Sequence, residues 1–393
     1  MNFSSRPQGP GRNRLTLALE RRRSAGLPIL DLTESNPTRA GLTYPPGLLA
    51  PLGQPGALRY DPDTFGVTAA RQAVSDDFQR RGVIVPADRI VLTASTSEAY
   101  SLVFKLLCDP GDAVLVPRPS YPLVEHLAGL DAVVIEPYGL DFHWRWSLDI
   151  DAIARKLDDT GRRTRIRAII TISPNNPTGS VVTPPELKQL DGLARRHDIA
   201  LIADEVFADY PIEAQHVTSV LGQNDALTFG LGGLSKCVGL PQVKLGWIGV
   251  SGPDALVIAA LERLETICDT YLSVSTPVQL AAPDLLKNGA VVRMQILTRV
   301  RENYTRLREM AAAHTACSVL PVEAGWYAVV QIPAITSEEA LVVELLDHAG
   351  LLVHPGYFFD FEREAFLVLS LLPDPTTFSS AVDRLFSEIE RSS

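Results

Sequence analysis

Short apolar runs punctuate the middle of the chain at residues 90–94, 113–117, 132–137, 168–173, 200–204, 226–230 and 245–250. Most are continuous rather than alternating, the pattern of strands covered on both faces. Seven such runs predict one large, mainly parallel sheet. Between them lie stretches of helical period, at 97–108 and at 185–197, the latter opening on a Pro-Pro-Glu start signal. Alternating strands and helices predict an α/β domain sandwiched by helices. Ligands on such sheets bind beyond the carboxyl ends of the strands. From about 253 to 313 the pattern is mainly helical, broken at 273–277 and at Asn288-Gly289. Short strand signals then return at 326–332 and 366–372, mixed with helices, as in a smaller α+β domain.

Composition narrows the class. Among 393 residues, 36 Lys plus Arg face 46 Asp plus Glu, a net charge of -10. That argues against a nucleic-acid binder, which needs basic residues to neutralise phosphates. No stretch of 18 apolar residues occurs, and the N-terminus lacks the apolar core of a secretory signal, so a cytoplasmic protein without a membrane span is expected. The four cysteines, Cys108, Cys237, Cys268 and Cys317, are too few and too scattered for a disulfide framework or a zinc site, and no metal is expected.

Four segments carry candidate chemistry. Gly232-Gly-Leu-Ser-Lys236-Cys-Val-Gly-Leu-Pro-Gln-Val-Lys244 places a lysine just past a strand in a loop of small residues. Alone, that lysine could be a solvated side chain. Gly230, Gly232 and Gly233 also resemble a dinucleotide fingerprint, but the acidic residue expected after the next strand is not evident. Ser173-Pro-Asn-Asn176-Pro-Thr-Gly179, Asp204-Glu-Val-Phe207 and Thr93-Ala-Ser-Thr-Ser-Glu98 each follow or end a predicted strand, where side chains can converge on one crevice.

In order and spacing, these segments together resemble the class I and II aminotransferases, pyridoxal-phosphate enzymes of fold type I, in the manner of aspartate aminotransferase. The resemblance runs from about Leu32 to the C-terminus. It implies a large cofactor domain at 46–287, an N-terminal arm at 1–45 contributing to a small domain, and the rest of that domain at 288–393. It further implies that Lys236 forms a Schiff base with the cofactor aldehyde and later shuttles a proton. Asp204 would keep the pyridine nitrogen protonated, although an aspartate there also suits a helix cap or turn. Asn176 would bond the cofactor's phenolic oxygen, and Tyr121 would stack on its ring. Ser95, Thr96 and Ser97 open a helix whose free N–H groups favour the phosphate, though the same residues serve as an N-cap. Ser235 and Lys244 would add phosphate contacts. Tyr60 would reach the phosphate of a neighbouring subunit, implying a homodimer with shared sites.

Four positions depart from the family's pattern. Lys244 replaces an arginine, exchanging a bidentate clamp for a point charge. Phe207 stands where a tyrosine is common, and Gly233 where a phosphate-binding serine is frequent. Val368 occupies the place of the arginine that binds the substrate's α-carboxylate. Either Arg363 fills in through a local slip in register, another group holds the carboxylate, or the substrate has none. In the segment Thr33-Glu34-Ser35-Asn-Pro-Thr-Arg39, Arg39 is a candidate replacement and Ser35 a further substrate contact. Glu34 beside it disfavours an acidic side chain, so aspartate and glutamate are not expected as preferred donors.

The leading reading is transamination between an amino acid or amine and a 2-oxo acid. A second keeps fold and cofactor but changes the reaction to elimination, decarboxylation or cyclisation. A regulatory module that binds the cofactor would need a DNA-reading segment, for which only about 30 residues precede the match, and a Rossmann dehydrogenase is the remaining alternative.

Overall fold

The computed structural model describes residues 3–392 apart from 8–10, 160, 162–163 and 223–224. All seven expected strands form: β1 (Ile90–Thr93), β2 (Ala113–Arg118), β3 (Val134–Phe142), β5 (Ile166–Ile172), β6 (Ala200–Asp204), β7 (Thr228–Gly233) and β8 (Gly246–Ser251). An eighth, β4 (Trp146–Leu148), corrects the expected count. It folds back antiparallel on β3, with Trp146 buried and its ring 5.1 Å from that of Phe142. Three residues are too short a run to stand out in the sequence. The sheet order is β1-β8-β7-β6-β5-β2-β3-β4. All neighbouring pairs are parallel except those made by β8 and by β4.

Alternate residues of the central strands serve opposite layers, as continuous apolar runs require. Val114, Ile170, Ile202, Phe229 and Ile248 join one buried cluster with Tyr100, Val103 and Leu264. Leu115, Ile169, Leu201 and Trp247 join another with Phe78, Leu190 and Leu285. Burying a side chain such as these stabilises the fold by about 1.5–3 kcal/mol each relative to exposure. Register aligns the carboxyl ends: Ile172, Asp204 and Leu231 sit in one row across β5, β6 and β7.

Helices Asp254–Tyr271, Thr276–Asn288 and Ala290–Ala311 interrupt where the sequence indicated. A second, antiparallel sheet has the order β9 (Ser318–Val319), β10 (Tyr327–Gln331), β12 (Phe366–Ser370), β11 (His354–Pro355). The two chain ends meet beside it. Leu30–Asp31 pairs in parallel with Leu351–Leu352, and the Ser370 N–H donates to the Leu32 carbonyl at 2.7 Å. No helix among the described residues is long and apolar enough to cross a membrane. No group of side chains there could hold a metal ion, and all four cysteines are unpaired.

Candidate active site

The last residue of β6, Asp204, faces the crevice beyond the strand ends. The Val206 N–H donates to its Oδ1 at 3.2 Å, and the Tyr100 hydroxyl donates to its Oδ2 at 3.1 Å. Burial raises its carboxyl pKa to about 6, outweighing these bonds and the nearby Lys236 ammonium, which pull it down. The sequence reading missed Tyr100. It lies one helical turn after Thr96, on the helix that opens behind β1, and is fully buried.

Lys236 sits in the one-turn helix Leu234–Cys237 directly after β7. Its Nζ lies 4.8 Å from the centre of the Trp326 ring and 5.6 Å from that of Phe207. Burial lowers its ammonium pKa to about 8, while Asp204 draws it partly back up. Two buried groups fix the backbone here: the Tyr210 hydroxyl donates to the Lys236 carbonyl, and Arg293 Nε donates to the Cys237 carbonyl at 2.9 Å. Arg293 also pairs with Asp77 at 3.0 Å and Asp209 at 3.6 Å. Neither Tyr210 nor Arg293 belongs to a motif that stands out by spacing.

Beside the lysine, the helix Thr96–Leu107 presents its N-terminus. Its first residues form the N-cap that their types allow. Ser95 is the cap, its Oγ accepting from the Glu98 N–H at 3.2 Å, while Glu98 reaches back to the Ala94 N–H. The N–H groups of Thr96 and Ser97, in the first turn, lack intrahelical partners. Two glycines leave room before them. A Cβ on Gly246 would lie 2.8 Å from the Ser95 carbonyl carbon and 3.0 Å from the Thr96 nitrogen. One on Gly233 would lie 3.0 Å from the Leu245 oxygen, a close approach bearing on the serine missing there. Ser235 is half-buried, and Lys244 is exposed with a left-handed backbone, φ 62°.

Asn176 lies in the turn after β5, where the Asn175 Oδ1 accepts from the Thr178 hydroxyl at 2.9 Å. Gly179 has φ 69°, and a Cβ there would come within 2.5 Å of Val322. Asn176 itself is buried, and its Oδ1 has no hydrogen-bond partner. Phe207 packs edge-on against Trp326 at 5.3 Å and Tyr327 at 6.0 Å. The Tyr327 hydroxyl neighbours Ser35 and Asn176, and burial pushes its phenol up to about 12. Tyr121 is half exposed, with the Phe359 ring 6.4 Å away. Tyr60 is 70% exposed.

The expected substrate contacts divide. Glu34 Oε1 accepts from the Asn36 N–H at 2.8 Å, so this carboxylate shapes its own turn. Arg39 is exposed and its guanidinium makes no hydrogen bond or ion pair among the described residues. Val368 is fully buried in β12, in register with Val329 and His354. Arg363 is exposed and lies over the Phe366 ring at 5.3 Å.

A mixed sheet covered on both faces, with a half-buried lysine and aspartate beyond its carboxyl edge, defines an α/β enzyme of the aminotransferase fold. The structure of alanine aminotransferase from Pyrococcus furiosus superposes with a TM-score of 0.89, covering 99% of this chain and all of that one at 23% identity. The chain belongs to the family of class I and II aminotransferases, whose sequence model matches residues 48–385. It is 28% identical to alanine aminotransferase of Mycobacterium tuberculosis over 376 residues, 91% of this chain and 84% of that protein. It is 26% identical to glutamate-pyruvate aminotransferase AlaA of Haemophilus influenzae, over 92% of this chain and 90% of that one. The family's reaction is pyridoxal-phosphate-dependent transamination, and the chain is a transferase of amino groups.

The residues present fit that cofactor. Gly233 and Gly246 clear the approach to a helix N-terminus suited to a phosphate, and Asn176 brings a buried side-chain amide that can donate to the cofactor's oxygen.

Proposed function

We propose that Lys236 is the reacting amine of this aminotransferase and Asp204 its charged partner. One observation carries the assignment: a lysine whose pKa burial has lowered to about 8 stands in the field of a half-buried aspartate, at the carboxyl end of parallel strands. Pyridoxal phosphate, when bound, supplies an aldehyde for the amine and a ring that accepts electrons from the substrate. Lys236 Nζ, partly neutral at pH 7 to 8, takes a proton from the substrate's α-carbon and returns it elsewhere. Asp204, ionised above about pH 6, holds a proton on a ring nitrogen. Thr96, Ser97, Ser235 and Lys244 bind the phosphate end, Asn176 the phenolic oxygen, and Tyr121 covers the ring. Phe207 and Trp326 exclude water around Nζ.

The same reading takes the chain as a homodimer in which Tyr60, exposed on its own subunit, serves the neighbour's site. It divides the chain at 45 and 287 into arm, large domain and small domain. Four unpaired cysteines suit a reducing, cytoplasmic setting. For the donor, a neutral amino acid is proposed, as the name of the Mycobacterium relative indicates. The Haemophilus relative's name includes glutamate, but the Glu34 charge acting on Tyr327 supports reading an acidic donor as the less favoured one here.

A screen of amino donors and 2-oxo acids read by mass spectrometry tests this. Keto product from neutral donors, with a visible absorbance band that Lys236→Ala abolishes, is the expected result. A colourless protein would overturn the lysine assignment, and high turnover with aspartate and 2-oxoglutarate the donor assignment.

A further inference from the structure

The face of the small sheet that carries Val368 also carries a polar corner. Tyr327 pairs with Ser370 and Val329 with Val368 across β10 and β12, and directly paired residues share a face. Tyr327 is buried with its ring edge-on to Phe207, whose own ring lies 5.6 Å from Lys236 Nζ. The Phe207 ring thus touches both the corner and the amine. The Ser370 hydroxyl donates to the Glu34 carbonyl at 2.7 Å, laying Glu34 and Ser35 across the same spot. There the Tyr327 hydroxyl meets Ser35 and Asn176, and Asn176 contributes the buried, unpartnered Oδ1.

The chemistry of this corner differs from that of a guanidinium. Tyr, Ser and Asn side chains each donate and accept, and none is charged. A carboxylate placed among them can only accept, finds no cation to pair with bidentately, and feels the Glu34 carboxylate nearby. A carboxamide donates and accepts, and can answer the free Asn176 oxygen. Resting on the assignment of Lys236 as the reacting amine, we propose that Tyr327, Ser35 and Asn176 form the subsite for the C1 group of the amino compound. This subsite takes an uncharged carboxamide at least as well as a carboxylate. Amino-acid amides are then substrates beside the free acids.

The test measures binding to the cofactor-loaded protein by calorimetry, with propionate and propionamide as unreactive probes. The expected result is a propionamide Kd equal to or below that of propionate, and a loss of about 3- to 10-fold for propionamide in Tyr327→Phe and in Ser35→Ala, the range of one neutral hydrogen bond. Val368→Arg should reverse the preference toward propionate. Because position 368 is fully buried, thermal melting accompanies that variant, and the two hydroxyl deletions decide the matter if it does not fold. Propionate bound more than about tenfold tighter than propionamide, or no change in either hydroxyl deletion, would overturn the proposal. Loss of the lysine assignment would show separately, as a visible band that survives Lys236→Ala.

Discussion

The Tyr100 hydroxyl lies 3.1 Å from Asp204 Oδ2, joining a helix and a strand whose residues are 104 positions apart. Tyr100 is fully buried, and its own pKa is raised well above the usual value by burial and by Asp204, so it stays a donor. A donated bond favours the ionised carboxylate. Tyr100→Phe should therefore raise the Asp204 pKa above its present value of about 6. Carboxyl NMR shifts of the apoprotein across pH 4 to 8 give the direct reading, and an unchanged midpoint would refute it.

Asp204→Asn should separate stability from function. Burial raises the folded-state pKa from 3.8 to about 6, so the fold binds a proton that the unfolded chain has already released. Stability linked to that proton is full below about pH 4 and lost as pH rises through 6. The neutral amide escapes this loss, by up to about 3 kcal/mol above pH 6. The apoprotein variant should melt higher than wild type at pH 7, with the gap closing toward pH 4, while its affinity for pyridoxal phosphate falls.

The approach to the helix N-terminus should close in Gly246→Ala. The new methyl would stand 2.8 Å from the Ser95 carbonyl carbon and 3.0 Å from the Thr96 nitrogen, backbone atoms that cannot swing aside. Overpacking of this kind costs about 1–3 kcal/mol. Melting temperature should drop and cofactor affinity should fall at least tenfold, by roughly the same energies. Gly192→Ala is the control: no atom lies within 4 Å of its added methyl, and its melting point should hold or rise.

What could be read in advance follows from where information is local. Continuous apolar runs mark buried strands, and residues ending or following such runs fall at the carboxyl edge of the sheet, as Asp204, Asn176 and Lys236 do. Trp146–Leu148 escaped because a three-residue hairpin strand carries no period. Tyr100, Tyr210, Trp326 and Tyr327 escaped for another reason. Each is an aromatic outside any motif, indistinguishable from core until its polar or ring contact, made across the fold, is known. The vacancy at Val368 was legible, but the polar corner nearby depends on strand pairing between residues 43 apart in the chain.

Two consecutive carbonyls anchor the lysine, and their supports should fail differently. Arg293 holds the Cys237 carbonyl and pairs with Asp77 and Asp209 in the interior. Arg293→Met leaves Asp77 and Asp209 paired with Arg80 but without their buried cation, a loss below the ~3–5 kcal/mol of a fully uncompensated charge yet enough to lower the melting temperature and the yield of soluble protein. Tyr210 holds only the Lys236 carbonyl and carries no charge. Its hydroxyl removal leaves weaker backbone donors there, the Gly239 N–H at 3.4 Å among them, and should cost about 1–2 kcal/mol. Tyr210→Phe is thus the variant in which positioning can be measured. The pocket that receives substrate keeps its shape while Nζ rests on a looser backbone, so kcat should fall several-fold with KM nearly constant. A rise in KM with kcat preserved would show instead that Tyr210 shapes the substrate pocket and leaves the lysine's placement to Arg293.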